Sequence, residues 1–194
     1  MTRATRVELS ALAKRYGDPI VARARITVGF ADPIKRADRF GEVCMVVRGP
    51  TGRILLITKD IYPRGAFRLP TGGIAHGESV EAALRRETRE ETGLEVEVRR
   101  FLGWVDYLPL EGDKAIFHTF AFLLEETGGT LGSLDPDERI LAYREVEPGE
   151  LDAVADRLDA VTSQPSEEIG GDWADWGRFR SVVHRVVSKG LRVP

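Results

Sequence analysis

The stretch from Ser79 to Thr92 carries carboxylates where a helix of a globular protein should carry apolar side chains. Ser79 is an N-cap residue type, Glu81 suits the positive end of a helix dipole and Gly93 is a common residue just past a helix end, so the spacing predicts a helix between them. With Leu84 at the origin of the helical wheel, Val80 lies at about -40° and Thr88 at about +40°, which marks the face to be buried. On the same wheel Glu87 falls at about -60° and Glu91 at about -20°, with Glu90 beside them at about -120°.

Charges that only solvate a helix pair opposite signs at i,i+4, whereas Glu87 and Glu91 are like charges at that separation, and Glu87 and Glu90 repeat the conflict at i,i+3. Three carboxylates within one turn, partly on the buried face, repel one another and lose hydration unless a cation compensates them. Oxygen donors without thiolate or imidazole suit Mg²⁺ or Mn²⁺. Just ahead lies a Gly-rich run, Pro70 to Gly77, expected to be a loop. Its glycines would let the backbone approach a ligand, and a carbonyl near Gly72 turn towards a metal. Loop and helix start together would seat a phosphate chain beside metal ions.

The rest of the chain narrows the classes. At 194 residues it is expected to be one domain, and a net charge of -3 offers no overall field for nucleic acid or an anionic membrane. The single cysteine, Cys44, excludes an internal disulfide and lies in an apolar run as a buried thiol. Apolar runs are far shorter than the roughly 20 residues needed to span a bilayer, and Met1 to Arg6 lead into no apolar signal region, so a cytoplasmic location is expected.

Val7 to Tyr16 has helical spacing and Ile20 to Phe30 alternates as an extended segment. Glu42–Arg48 and Arg53–Lys59 read as a hairpin joined at Gly49-Pro50-Thr51-Gly52. Further strands are expected at Glu95–Asp106, Lys114–Glu125 and Ile140–Glu147, with turns at Glu111-Gly112-Asp113 and Thr127-Gly128-Gly129. A helix follows Pro148-Gly149, and another runs from about Trp173 to Ser188. Helices among strands in this order point to an α/β or α+β sandwich.

Gly72, five residues, Glu78, seven residues, then Arg86-Glu87-Thr88-Arg89-Glu90-Glu91-Thr92-Gly93-Leu94 resembles the Nudix box, the signature of the Nudix hydrolases. Seven fixed identities agree, at Gly72, Glu78, Arg86, Glu87, Glu90, Glu91 and Gly93, against a chance on the order of one in a million at ordinary residue usage. Thr88 stands where the family usually has an aliphatic residue, and Thr71 where many members have a further glycine.

The resemblance implies an α/β class fold, an α/β/α sandwich with a mixed β-sheet over residues 41–161. Residues 1–40 would form an N-terminal helix-and-strand extension, with dimer formation as one reading, and residues 162–194 a loop and amphipathic helix packed on the same domain, with a homodimer interface or a substrate lid as its other readings. It also implies hydrolysis of a pyrophosphate bond in a nucleoside diphosphate linked to another group. Glu87, Glu90 and Glu91, with backbone near Gly72, would bind Mg²⁺ or Mn²⁺. Glu78 and Arg86 would orient those carboxylates. Glu91 is the first candidate for the proton acceptor, with Glu111, Asp113, Glu125 and Glu126 outside the box as competitors.

Arg48, Lys59, Arg64 and Arg68 are candidate phosphate contacts. Phe67, Trp104 and Tyr107 would stack on a base or fill the core, and His76 and His118 read as a loop and a core histidine. Family members acting on ADP-ribose often carry a proline about fifteen residues past the box, where this chain has Pro109. That favours an ADP-ribose or nucleotide-sugar substrate. The competing class is a Nudix-fold sensor that binds a nucleotide metabolite without turning it over.

Overall fold

A computed structural model describes residues 1–27, 30, 33, 34 and 37–193. Its main elements are α1 (Arg3–Tyr16), β1 (Ile20–Ile26), β2 (Arg39–Arg48), β3 (Ile54–Lys59), β4 (Thr71–Ala75), α2 (Val80–Thr92), β5 (Leu94–Pro109), β6 (Phe117–Gly129), β7 (Ile140–Val146), α3 (Leu151–Asp159) and α4 (Trp173–Arg192). Short 3₁₀ turns lie at Pro136–Glu138 and Pro148–Glu150. The sheet runs β1-β5-β6-β2-β3-β7, with β4 as a second partner of β2. β1 is parallel to β5 and β2 to β6, while the other pairings are antiparallel. The sheet is therefore mixed.

Side-chain alternation along β2 shows why helices cover both faces. Val43, Met45 and Val47 join Leu9 and Leu12 of α1 and Val80, Ala83 and Leu84 of α2 in one apolar cluster. Cys44 and Val46 join Leu151, Val154 and Leu158 of α3 and Trp176, Phe179 and Val183 of α4 in the other. A strand buried on both faces reads as a continuous apolar run, as Val43–Val47 does. The result is the three-layer α/β/α sandwich that the sequence resemblance implies. Among the described residues no helix is long and apolar enough to cross a membrane.

Several elements differ from the sequence expectation. α1 starts at Arg3 because the Thr2 hydroxyl accepts from the Thr5 amide at 3.2 Å and caps the helix. The Gly-rich run is not a loop: Thr71–Ala75 pairs with β2, placing Gly72 opposite Val43. The hairpin turn closes with the Gly49 amide donating to the Arg53 carbonyl at 2.9 Å, but β2 and β3 share only the Arg48–Ile54 pair. They separate because β4 and β6 occupy the two sides of β2. Thr127–Gly129 continues β6, where Gly129 at φ 92° lies so close to Leu94 that a Cβ would fall 2.9 Å from its Cα. β1 ends at Ile26; positions 28 and 29 of the expected extended segment lie outside the described residues.

Phe179 sits at the centre of the α4-side core, with ring centroids 4.5 Å from Tyr107, 5.4 Å from Phe30 and 6.0 Å from Phe117. Phe179→Ala is expected to destabilise the fold by about 3–5 kcal/mol. Urea denaturation checks this, and a loss below about 1 kcal/mol would mean the core collapses around the cavity.

Candidate active site

Local sequence sets the phase of α2. The Ser79 hydroxyl accepts from the Ala82 amide at 3.1 Å, and Gly93 ends the helix in the left-handed region at φ 66°. Val80, Ala83 and Leu84 dock on the sheet, so Glu87 and Glu91 must turn the same way. They are only 6 % and 1 % exposed. Gly72 of β4 leaves room for them: a Cβ there would lie 2.1 Å from the Glu87 carboxyl carbon. Thr88 is also buried, its hydroxyl donating to the Leu84 carbonyl at 2.6 Å.

A third acid completes the group. Glu138, from the 3₁₀ turn after β6, brings one carboxylate oxygen within 4.8 Å of oxygens from Glu87 and Glu91. The Lys59 ammonium at the end of β3 lies 2.7 Å from Glu138 and 3.7 Å from Glu91. Burial pushes the Glu91 carboxyl up to about 8, against partial relief from the Arg68 and Lys59 charges. Burial also raises Glu87, with Arg86 opposing. Burial acts on Glu138 in the same sense, but Lys59 outweighs it and holds that carboxyl below its ordinary range. Glu91 Oε2 is buried without a hydrogen bond. Converging hard oxygens, an orphaned carboxylate oxygen and the cleared space at Gly72 fit a divalent cation such as Mg²⁺ or Mn²⁺.

Arg86 braces the acids. Its Nε and Nη2 each donate to one oxygen of Glu78 at 2.9 Å, and Nη1 donates to Glu87 at 2.8 Å and Glu90 at 2.9 Å. Nη2 also donates to the Gly73 carbonyl at 3.0 Å, tying α2 to β4. The Arg86 fork holds the Glu78 carboxyl below the usual carboxylate range. Glu90 stands outside the three-acid group, half-exposed on Arg86.

The other sequence candidates scatter. Arg68 is buried beside Thr71, and Lys59 touches the acids. Arg64 is exposed on the loop after β3, and Arg48 pairs with Glu125 at the far end of β2. Asp113 is held by Arg25 at 2.7 Å. Tyr107 is core, Phe67 lies under Arg144, and Trp104 donates to Asp106, which also binds His118. Sequence reasoning missed Glu138, Tyr62 and Arg180, and read Trp176 only as part of the apolar stripe of the last helix. The only signal for Glu138 was the acidic Asp135-Pro136-Asp137-Glu138 run, a turn with the right donor chemistry. The acids lie between two cavities of about 310 and 290 Å³; Glu138 lines the larger and Glu87 the smaller.

Two outcomes are expected. A Cβ at position 72 must displace the Glu87 carboxylate, so Gly72→Ala should weaken divalent-cation binding by about 10- to 100-fold, measured by isothermal titration. Unchanged affinity would remove Glu87 from the cation site. The raised Glu91 carboxyl contributes stability below its ordinary value of 4.5, and this contribution is lost as pH climbs through about 8. In metal-free protein the thermal midpoint of Glu91→Gln should therefore gain on the wild type between about pH 5 and about pH 9. A pH-independent difference would contradict the burial argument.

The model of the NUDIX domain family matches residues 38–166, two thirds of the chain. An ADP-ribose pyrophosphatase of Methanocaldococcus jannaschii is 39% identical over 84 residues, covering 43% of this chain and 49% of that protein. The chain thus spans about half the length of this relative. Among solved structures, the E. coli ORF135 protein is 24% identical at a TM-score of 0.46, over 60% of this chain and 79% of that one. A NUDIX hydrolase from Nitrosomonas europaea is 19% identical at 0.44, over 58% and 59%. With Glu87 and Glu91 of the box on one buried helix face and the family's pattern running through the sheet around them, the chain belongs to the NUDIX family.

Proposed function

We propose that the protein is a divalent-metal-dependent pyrophosphohydrolase acting on a nucleoside diphosphate linked to a sugar, with ADP-ribose the leading candidate. The convergence of Glu87, Glu91 and Glu138 on one point between two cavities carries this reading. The activity for which the Methanocaldococcus jannaschii relative is named and the position of Pro109, at the end of β5, support the substrate class.

Glu87, Glu91 and Glu138 would hold the cation. When bound, such an ion neutralises charge on the pyrophosphate oxygens and lowers the pKa of water. Arg86 fixes Glu87 from one side, so the carboxylate does not swing towards solvent. Lys59 steadies Glu138 and offsets part of the repulsion with Glu91. Glu91, whose Oε2 has no hydrogen-bond partner in the protein, would also accept the proton of the attacking water. The smaller cavity, lined by Arg39 and Arg86, and the larger one would take the two halves of the substrate.

Incubation with ADP-ribose and nucleotide sugars in Mg²⁺ or Mn²⁺ tests the proposal by release of a nucleoside monophosphate. Chelation should stop the reaction, and Glu91→Gln should lower kcat by about 10²–10⁴-fold. Tight nucleotide binding by the wild type with no product after prolonged incubation would favour a sensor instead.

A further inference from the structure

The inner wall of the larger cavity holds two guanidinium groups that the protein itself leaves incompletely satisfied. Arg68 and Arg180 both line it and are only 2 % and 5 % exposed. Arg68 donates through Nε to the Tyr62 hydroxyl at 2.8 Å and through Nη1 to the Leu69 carbonyl at 2.7 Å and the Thr71 hydroxyl at 3.0 Å. Arg180 donates through Nη1 to both Glu42 oxygens at 2.8 and 2.9 Å, and to the same Thr71 hydroxyl at 3.1 Å. One hydroxyl thus holds two like charges side by side. Among the described residues no carboxylate is within ion-pair distance of Arg68, no atom bonds Nη2 of either arginine, and Arg180 Nε is buried without a partner.

Among the described residues Glu42 is the single carboxylate ion-paired with this buried pair, so Arg68 has no acid in direct contact, only the more distant charges of Glu91 and Glu42. A buried cation without an acid is costly, and guanidinium forks match phosphate oxygens in geometry and charge. The acids Asp137, Glu138 and Glu168 also line the cavity, but Glu138 is paired with Lys59 and Glu168 with Arg139. Because Glu138 belongs to both the cavity and the acidic trio, an anion resting on the arginines lies next to the proposed reaction centre.

We propose that Arg68 and Arg180 form a phosphate receptor that grips the phosphate of the substrate half opposite the nucleoside. This rests on the pyrophosphohydrolase reading for its substrate; of its components, Arg180 and the adjacent Trp176 come from α4, beyond residues 38–166 matched by the family model. Trp176, its ring centroid 4.7 Å from that of Tyr62, lines the same cavity and supplies an optical reporter.

Inorganic pyrophosphate titrated into the full chain in the presence of a chelator isolates the arginine contribution from any bound metal. Saturable binding is expected, followed by calorimetry and tryptophan fluorescence. Arg180→Gln should weaken it about 10- to 100-fold, the range for a charge-assisted hydrogen bond. Arg180→Lys should fall in between, keeping the charge without the fork. If Arg180→Gln fails to fold because Glu42 is left unpaired, the double variant Arg180→Gln with Glu42→Gln removes both charges and should show the same loss. Equal affinity in wild type and the folded variant, or saturable binding of free ribose but not pyrophosphate, overturns the proposal. Pyrophosphate binding that depends on Arg180 in a protein that hydrolyses no nucleotide would leave the receptor standing and defeat the hydrolase reading.

Discussion

Holding two carboxylates of one helix against a sheet governs the rest of the site. Moving an ionised carboxylate out of water costs several kcal/mol even after the surroundings relax, and two of them at i,i+4 add mutual repulsion. The protein answers each in a different way. Glu87 receives a guanidinium donor at 2.8 Å, while Glu91 has only distant cations, the nearest ammonium at 3.7 Å, and is driven towards its neutral form. That difference sets the two acids apart: Glu87 is braced by Arg86, and Glu91 keeps one carboxylate oxygen without a hydrogen bond.

The same constraint shows what could be read from the sequence. The wheel positions of Val80, Leu84, Glu87 and Glu91 contain the phase of α2, because helix geometry is local and periodic. The central strand was legible in Val43–Val47 for the same reason. Gly72 and Gly73 were misjudged, since glycine pairs usually mark turns. Here they serve a strand by omitting side chains: a Cβ at Gly73 would lie 2.3 Å from the Arg39 guanidinium, as one at Gly72 would strike Glu87. Nothing local distinguishes the two.

Long-range placement was hidden. Arg48 and Lys59 are both cations at strand ends, yet only Lys59 reaches the acids, because β3 and β2 run in opposite directions from their shared turn. Glu138 joins Glu91 only through the folding of β6 and the turn after it, a relation with no fixed spacing. Trp176 and Arg180 were masked differently. On α4 the apolar stripe reads as packing, which it is, and both Trp176 of the stripe and the buried Arg180 beside it reach the cavity.

On the proposed reading α4 belongs to the site rather than only covering it. The Leu69 amide donates to His184 Nε2 at 2.9 Å, which fixes the ring proton on Nδ1, where it donates to the Arg180 carbonyl at 2.7 Å. Burial keeps this histidine neutral, with its pKa pushed down to about 3, so the link does not titrate near neutrality. Two connections therefore run from α4: His184 to Leu69, just before β4, and Arg180 to Thr71 at the start of β4 and to Glu42 of β2. Buried polar contacts of this kind add little net stability, because desolvation offsets most of their attraction, but a misplaced α4 would leave Glu42 charged and unpaired. The packing of Phe179 and Val183 supplies the energy of docking, and the Arg180–Glu42 pair selects its register. Since Thr71 adjoins Gly72, that register also sets where β4 lies beneath Glu87, and the helix beyond the matched family region becomes a determinant of the acid geometry.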